Sequence, residues 1–204
     1  MRSNRPTTFS STSEVTAHQQ WTTFFSIALT VIALIGGLFL RARLQGSTSA
    51  YQDTATGIGV NYPTGWIVST GTVSSNYVFL AEDPAAIDFK TNLSVAILPI
   101  GPNATIGDVT QLLTLRHAQI YAAYHTLSIT TIPLTSSTTA TDVSYAYAYT
   151  DPNPFLSSVP VVVRADDVII LSHGEAIVVG YAANAQTYST DRHYFDAFLR
   201  SLRY

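Results

Sequence analysis

Apolar and polar positions follow three regimes along this chain. Residues 1–20 are polar and Ser/Thr-rich with almost no large apolar side chains. Such a segment buries too little surface to offset its ordering entropy, and a disordered tail is expected. Residues 21–40, WTTFFSIALTVIALIGGLFL, carry no charge. At about 1.5 Å of rise per residue, a helix of that length spans roughly 30 Å of hydrocarbon. A single transmembrane helix is therefore expected over 21–40, with Trp21 at one interface and Arg41 and Arg43 beyond the other end. A cleaved secretory signal is the alternative, with the small residues 47–50 as its processing site. The length of the apolar run and the two intervening arginines favour retention as an anchor. Residues 41–50 read as a linker and 51–204 as one soluble domain.

Within that domain, short apolar runs broken by Pro and Gly predict strands at 58–62, 66–69, 77–81 and 93–99. Thr105-Ile-Gly-Asp108 has the form of a capping box with Asp in place of Glu and opens a helix expected to run to about His125. Val109, Leu112, Leu113, Arg116, Ile120, Ala123 and Tyr124 mostly follow the spacing of one helix face. Strands are expected again at 127–135, 142–150, 161–172 and 176–183, with His173-Gly174-Glu175 as a tight connection. The last stretch, 190–202, sets Tyr194, Phe195, Phe198, Leu199 and Leu202 on one helical stripe, with Asp196 and Arg200 at i, i+4 opposite. Connections this short exclude parallel crossovers, so the expected class is α+β: an antiparallel β-sheet with helices packed on both faces.

Tyr51-Gln-Asp53, Gly57-Ile-Gly-Val-Asn-Tyr-Pro63 with Gly65-Trp66, Gly180-Tyr181-Ala182-Ala183 and Phe195-Asp-Ala-Phe-Leu-Arg-Ser201-Leu202 resemble the PsbP-like family. The resemblance covers residues 51–204 and implies an α/β/α sandwich. It implies no catalytic residues and no cofactor: its motifs are packing signatures, and many members are bacterial proteins tethered to a membrane or lipid-anchored. This chain has no cysteine for a lipid anchor, so its tether would be the helix.

Charge and composition narrow the function. Residues 45–204 carry six basic and twelve acidic groups, with Lys90 the only lysine, whereas residues 1–44 hold four arginines against Glu14. The acidic balance of the large domain argues against nucleic-acid or anionic-lipid partners. Arg2 and Arg5 before the span match Arg41 and Arg43 after it, so flanking charge alone leaves orientation open. The basic end suits the cytoplasmic leaflet, and the Lys-poor, Ser/Thr/Tyr-rich domain resembles bacterial cell-surface proteins. The soluble domain is therefore expected outside, facing an envelope protein or cell-wall partner.

Zero cysteines exclude disulfides, thiolate metal sites and cysteine nucleophiles. There is no Gly-x-Ser-x-Gly elbow, and Gly57-Ile-Gly59 lacks the third glycine and following helix of a phosphate loop. His117 and His125, placed on one helix two turns apart, would sit about 12 Å from each other, too far to share a metal. Two candidate sites remain. Asp166 and Asp167, with His173 and Glu175 in the same hairpin, would supply oxygen and nitrogen ligands to a divalent cation if the strands bring them together, as a metal-dependent hydrolase requires. Tyr145, Tyr147 and Tyr149 alternate with Ser144, Ala146 and Ala148, giving one aromatic sheet face that suits a carbohydrate or peptide, or else packs beneath a helix. The expected function is a non-catalytic binding or assembly domain.

Overall fold

The computed structural model describes residues 24–37, 47–70, 77–134, 138–153 and 159–204. The chain divides into two compact units, residues 1–46 and 47–204. In the first, residues 24–37 form a helix, α1, whose large apolar side chains are exposed. The twenty-residue span expected over 21–40 is described only over these fourteen. No helix among the described residues is long and apolar enough to cross a membrane. The expected tail 1–20, both ends of the expected span and positions 41–46 of the expected linker lie outside the described residues.

The second unit begins with a hairpin of β1 (Thr48–Gln52) and β2 (Gly59–Pro63). The expected linker thus already contains most of a strand. Seven further strands, β3 (Ile67–Thr70), β4 (Tyr77–Glu82), β5 (Asn92–Pro99), β6 (Ala122–Pro133), β7 (Thr139–Tyr149), β8 (Val161–Ser172) and β9 (Glu175–Asn184), form one antiparallel sheet. Their order is β3-β4-β5-β9-β8-β7-β6. Helix α2 (Ile106–Ile120) packs on one face and α3 (Tyr188–Ser201) on the other. The expected layering of helices on both faces is what is found.

The face under α3 is filled. Phe79, Leu93, Val95, Val168, Ile170, Val179 and Tyr181 of the sheet meet Phe195 and Phe198 in the largest buried cluster. Phe79 and Phe198 stack at 5.7 Å between centroids, Tyr181 and Phe195 at 5.3 Å. A polar clamp holds the start of α3: the Asp166 carboxylate accepts from the Tyr188 hydroxyl and from the Arg192 guanidinium, which also lies 3.8 Å from Asp142. Arg192 then reaches Asp196 at 3.5 Å, so the i, i+4 pair on this helix is Arg192–Asp196 where Asp196–Arg200 was expected.

Helix α2 opens on the predicted capping box: Thr105 N donates to Asp108 Oδ2 at 2.8 Å, and Asp108 N donates to Thr105 Oγ1 at 3.3 Å. It ends five residues earlier than its periodicity suggests. Tyr121 is already extended, Ala123 turns the chain at φ 51°, and β6 pairs with β7 from Ala122 onward. Ladder pairing along β7 replaces the last helical turn, which is how tertiary context overrides a continuing apolar pattern. His125 therefore lies on β6, not beside His117 on a helix. The buried face narrows to Val109 and Leu113, and Leu112 and Ile120 are more than half exposed.

Deleting a wholly buried ring leaves a cavity, whereas truncating an exposed side chain does not. Phe198→Ala is expected to cost about 3–5 kcal/mol in urea denaturation and Ile120→Ala less than about 0.5 kcal/mol. Equal costs would show that Ile120 is part of the core.

Candidate functional site

On the α2 face, antiparallel register sets two rows of residues side by side across five strands. The first row runs Leu80, Ser94, Gly180, Asp167, Val143 and the second Glu82, Asn92, Ala182, Ala165, Tyr145. In the middle of both rows stand Ser, Gly and Ala, with Ala96 next along β5. Side chains this small cannot reach the C-terminal half of α2, so a cleft of about 520 Å³ opens between helix and sheet. That volume lies within the usual range for small-molecule sites. Leu80 and Tyr77 bound one side, Tyr145, Tyr147, Tyr149 and Phe89 the other, and Arg116, His117 and Tyr121 overhang it. A second groove of about 510 Å³ between α2 and β6 is lined by Thr and aliphatic residues without a titratable group.

The electrostatic centre of the cleft is Asp167. Its residue is 7% exposed, and its two polar contacts are long: the Tyr145 hydroxyl donates to Oδ1 at 3.4 Å and His117 Nδ1 lies 3.6 Å from Oδ2. Burial, reinforced by the charges of Asp166 and Asp142, pushes the Asp167 carboxyl up to about 7 against the pull of the Tyr145 hydrogen bond. Burial, with the Arg116 charge beside it, lowers the His117 imidazole to about 4. The contact is consequently not an ion pair at neutral pH, because the imidazole is uncharged and any proton on the pair resides on the carboxyl. Such a carboxyl can donate or accept near pH 7, yet no nucleophile on a strained turn stands next to it among the described residues.

Gly180 contributes to the shape of the site. A Cβ there would lie 2.4 Å from Ser94 Oγ and 3.4 Å from Asp167 Oδ1. The missing side chain makes room for the Ser94 hydroxyl, which lies over Gly180 beside the Asp167 carboxyl.

The hairpin acids and histidine do not come together. Alternation along β8 sends Asp166 to the α3 face and Asp167 to the α2 face. His173 and Glu175 sit at the hairpin turn, about 17–20 Å along the strand from Asp167 at 3.3 Å per residue. His173 and Gly174 both have positive φ, 49° and 83°, as a two-residue type I′ turn requires, and His173 Nδ1 pairs with Ser172 Oγ at 2.8 Å. No group of three or more potential metal ligands gathers among the described residues. The aromatic row does share one face and lines the cleft, but its ring faces are largely taken. Tyr147 stacks under Tyr121 at 4.0 Å, Tyr145 faces His117 at 4.8 Å, and Phe89 meets Tyr149 edge-on at 5.0 Å. Tyr145 and Tyr147 are buried and Tyr149 is half-buried. Sequence reasoning missed the pairing of Asp167 with His117, since it depends on how α2 lies over β8.

Comparison with known proteins defines the fold. No family model matches the sequence, and no curated protein matches it either. Among solved structures, the chain is similar to cyanobacterial PsbP (CyanoP) from Synechocystis, with a TM-score of 0.56 at 18% identity over 77% of this chain and 92% of that one. It is also similar to the Ran-binding protein Mog1p of Saccharomyces cerevisiae, with a TM-score of 0.51 at 10% identity over 77% of this chain and 95% of Mog1p. LpqN, involved in cell envelope biogenesis of Mycobacterium tuberculosis, matches with a TM-score of 0.51 at 11% identity over 76% and 89%. The fold is PsbP-like.

Asp167 titrates near 4 in the unfolded chain and at about 7 in the folded one, so its contribution favours folding below pH 4 and is lost as pH rises through 7. Asp167→Asn, neutral at every pH, is expected to raise stability at pH 8 by up to about 4 kcal/mol and to change little at pH 4. Urea titrations at the two pH values measure this; equal differences at both would mean that the carboxyl is hydrated.

Proposed function

We propose that this chain is a non-catalytic binding domain, anchored in a membrane by residues 21–40 and displayed outside the cytoplasm, whose ligand enters the cleft beneath α2. The observation that carries the reading is the cleft itself, where the central strands β5, β9 and β8 present Ser94, Gly180, Ala182 and Ala165 although the opposite face of the same sheet is filled with aromatic core. A packed interior leaves few voids larger than a water. A cavity of this size with a buried carboxyl at its base therefore fits a site kept open for a ligand.

Anchoring is supported by the uncharged run 21–40 and by the helix within it, which is predominantly apolar and carries no charge, with its large side chains exposed. The +3 balance of residues 1–44 and the −6 balance of the rest support the basic end inside and the domain outside. The involvement of the fold neighbour LpqN in cell envelope biogenesis agrees with an envelope role and with a partner in the envelope or cell wall.

Two measurements test the reading. The chain has no cysteine, and Gln186 is exposed in the turn between β9 and α3. In intact cells, Gln186→Cys should react with a membrane-impermeant maleimide; reaction only after lysis would place the domain in the cytoplasm. For the cleft, a fragment screen by amide chemical-shift mapping should give hits centred on Ser94, Gly180 and His117. Those hits should vanish in Ala182→Leu, which fills the floor. Hits confined to other surfaces would remove the cleft from consideration.

A further inference from the structure

We infer that the cleft selects a small ligand bearing a protonated amine, seated over Gly180 between Ser94 Oγ and the Asp167 carboxylate, with an uncharged body lying along Leu80, Ala96 and Ala182. The inference rests on the reading of the cleft as a ligand site and adds the chemistry of what it takes.

Three features of the floor point to a cation. First, the Asp167 side chain is nine-tenths buried, yet its hydrogen bond from Tyr145 at 3.4 Å and its contact with His117 at 3.6 Å are both long. The carboxyl lines the cleft with only these weak contacts to its oxygens. Second, Ser94 Oγ and Asp167 Oδ1 converge over Gly180, where a Cβ would clash with the first and lie 3.4 Å from the second. A nitrogen placed slightly above that point would sit within donor distance of both. Third, the basic groups among the described residues that line the cleft are His117 and Arg116. His117 is neutral above about pH 4, and Arg116, the only guanidinium among the described lining residues, sits on the exposed side of α2. The remaining groups around Asp167 are the hydroxyls of Tyr145 and Tyr147 on β7, Tyr77 on β4 and Tyr121 on α2, with Asp142 and Asp166 across the sheet. Each of these is neutral or negative at pH 7.

The alternatives meet less complementary chemistry. An anion would face Asp167 and Glu82 with only Arg116 in its favour. A sugar held by stacking would need open ring faces, and those of Tyr145 and Tyr147 are occupied by His117 and Tyr121. An amine supplies the charge that the buried carboxylate lacks, and a charge-assisted hydrogen bond is stronger than a neutral one.

The test uses three probes of one shape, 2-phenylethylamine, 2-phenylethanol and phenylacetate, titrated calorimetrically into the full chain in lipid nanodiscs. At pH 8 the amine should bind at least tenfold more tightly than the alcohol, and phenylacetate should bind more weakly still. Asp167→Asn, confirmed as folded by its melting temperature, should bring the amine to the level of the alcohol, and Ser94→Ala should weaken it severalfold. Affinity for the amine should fall as pH is lowered from 8 to 5, because Asp167 then takes up a proton. If the alcohol binds as tightly as the amine with shifts at Gly180, the cleft remains a ligand site and the amine inference fails. It fails likewise if Asp167→Asn leaves amine binding unchanged. If no probe binds and the fragment screen also leaves Ser94, Gly180 and His117 unmoved, both readings fall together.

Discussion

The pairing of β9 between β5 and β8 is the constraint on which the rest of this domain depends. Eight residue pairs join β9 to β5 and ten join it to β8, all antiparallel. Side chains alternate strictly across such a ladder, and both faces are covered by a helix. Residues 176–183 of β9 therefore alternate between the aromatic core under α3 and the α2 face, where Ala176 and Val178 pack with Val109 and Leu113 and Gly180 and Ala182 line the cleft. A slip of one residue would exchange the two sets and put Tyr181 where Gly180 now stands. The same register separates Asp166 from Asp167, giving each face one buried carboxyl with a different environment.

Those two carboxyls show how partners decide what a buried acid does. Asp166 receives the Tyr188 hydroxyl and the Arg192 guanidinium, and so fastens the first turns of α3 to the sheet. Arg164 lies over the Tyr188 ring at 4.3 Å and adds a second cation nearby. Asp142, at the rim of this clamp, is pushed up to about 6 by burial and by Asp166. Asp167 has no such clamp. Burial, with the charges of Asp166 and Asp142, pushes its carboxyl up to about 7 against the hydrogen bond from Tyr145. The Asp166 cluster is itself incompletely satisfied, since Asp166 Oδ1 and Asp142 Oδ1 are buried and accept no hydrogen bond among the described residues.

The hairpin β1–β2 and the C-terminus show what the two segments that carry the family resemblance do in the fold. Asn61 N donates to Ser201 Oγ at 2.8 Å, and Gly59 and Arg203 exchange two backbone hydrogen bonds at 3.0 and 2.9 Å. Trp66 meets Tyr194 edge-on at 5.6 Å, and Tyr62 packs on Phe79 at 5.4 Å. The Gly-Ile-Gly-Val-Asn-Tyr-Pro segment and the Phe-Asp-Ala-Phe-Leu-Arg-Ser segment are thus two halves of one contact. Their contact is one of packing, and the fold it helps to close is shared with proteins as different as CyanoP, Mog1p and LpqN.

Local patterns in the sequence determined the layered α+β architecture, because strand alternation, the Thr105 capping box, the His173-Gly174 turn and the Phe195/Phe198 stripe each act over a few residues. They also placed Tyr145, Tyr147 and Tyr149 on one face, since period-two alternation needs no knowledge of neighbours. Only the tertiary structure decided where α2 stops, because β7 competes for residues 122–125 and pairing wins over helical periodicity. It alone decided that Tyr145 and Tyr147 would spend their ring faces on His117 and Tyr121, and that the hairpin acids would point to opposite sides. The cleft was hidden for the same reason. Ser94, Gly180 and Asp167 lie on three strands and His117 on a helix, and what unites them is the register of β5, β9 and β8 beneath α2, a long-range relation that no local pattern encodes.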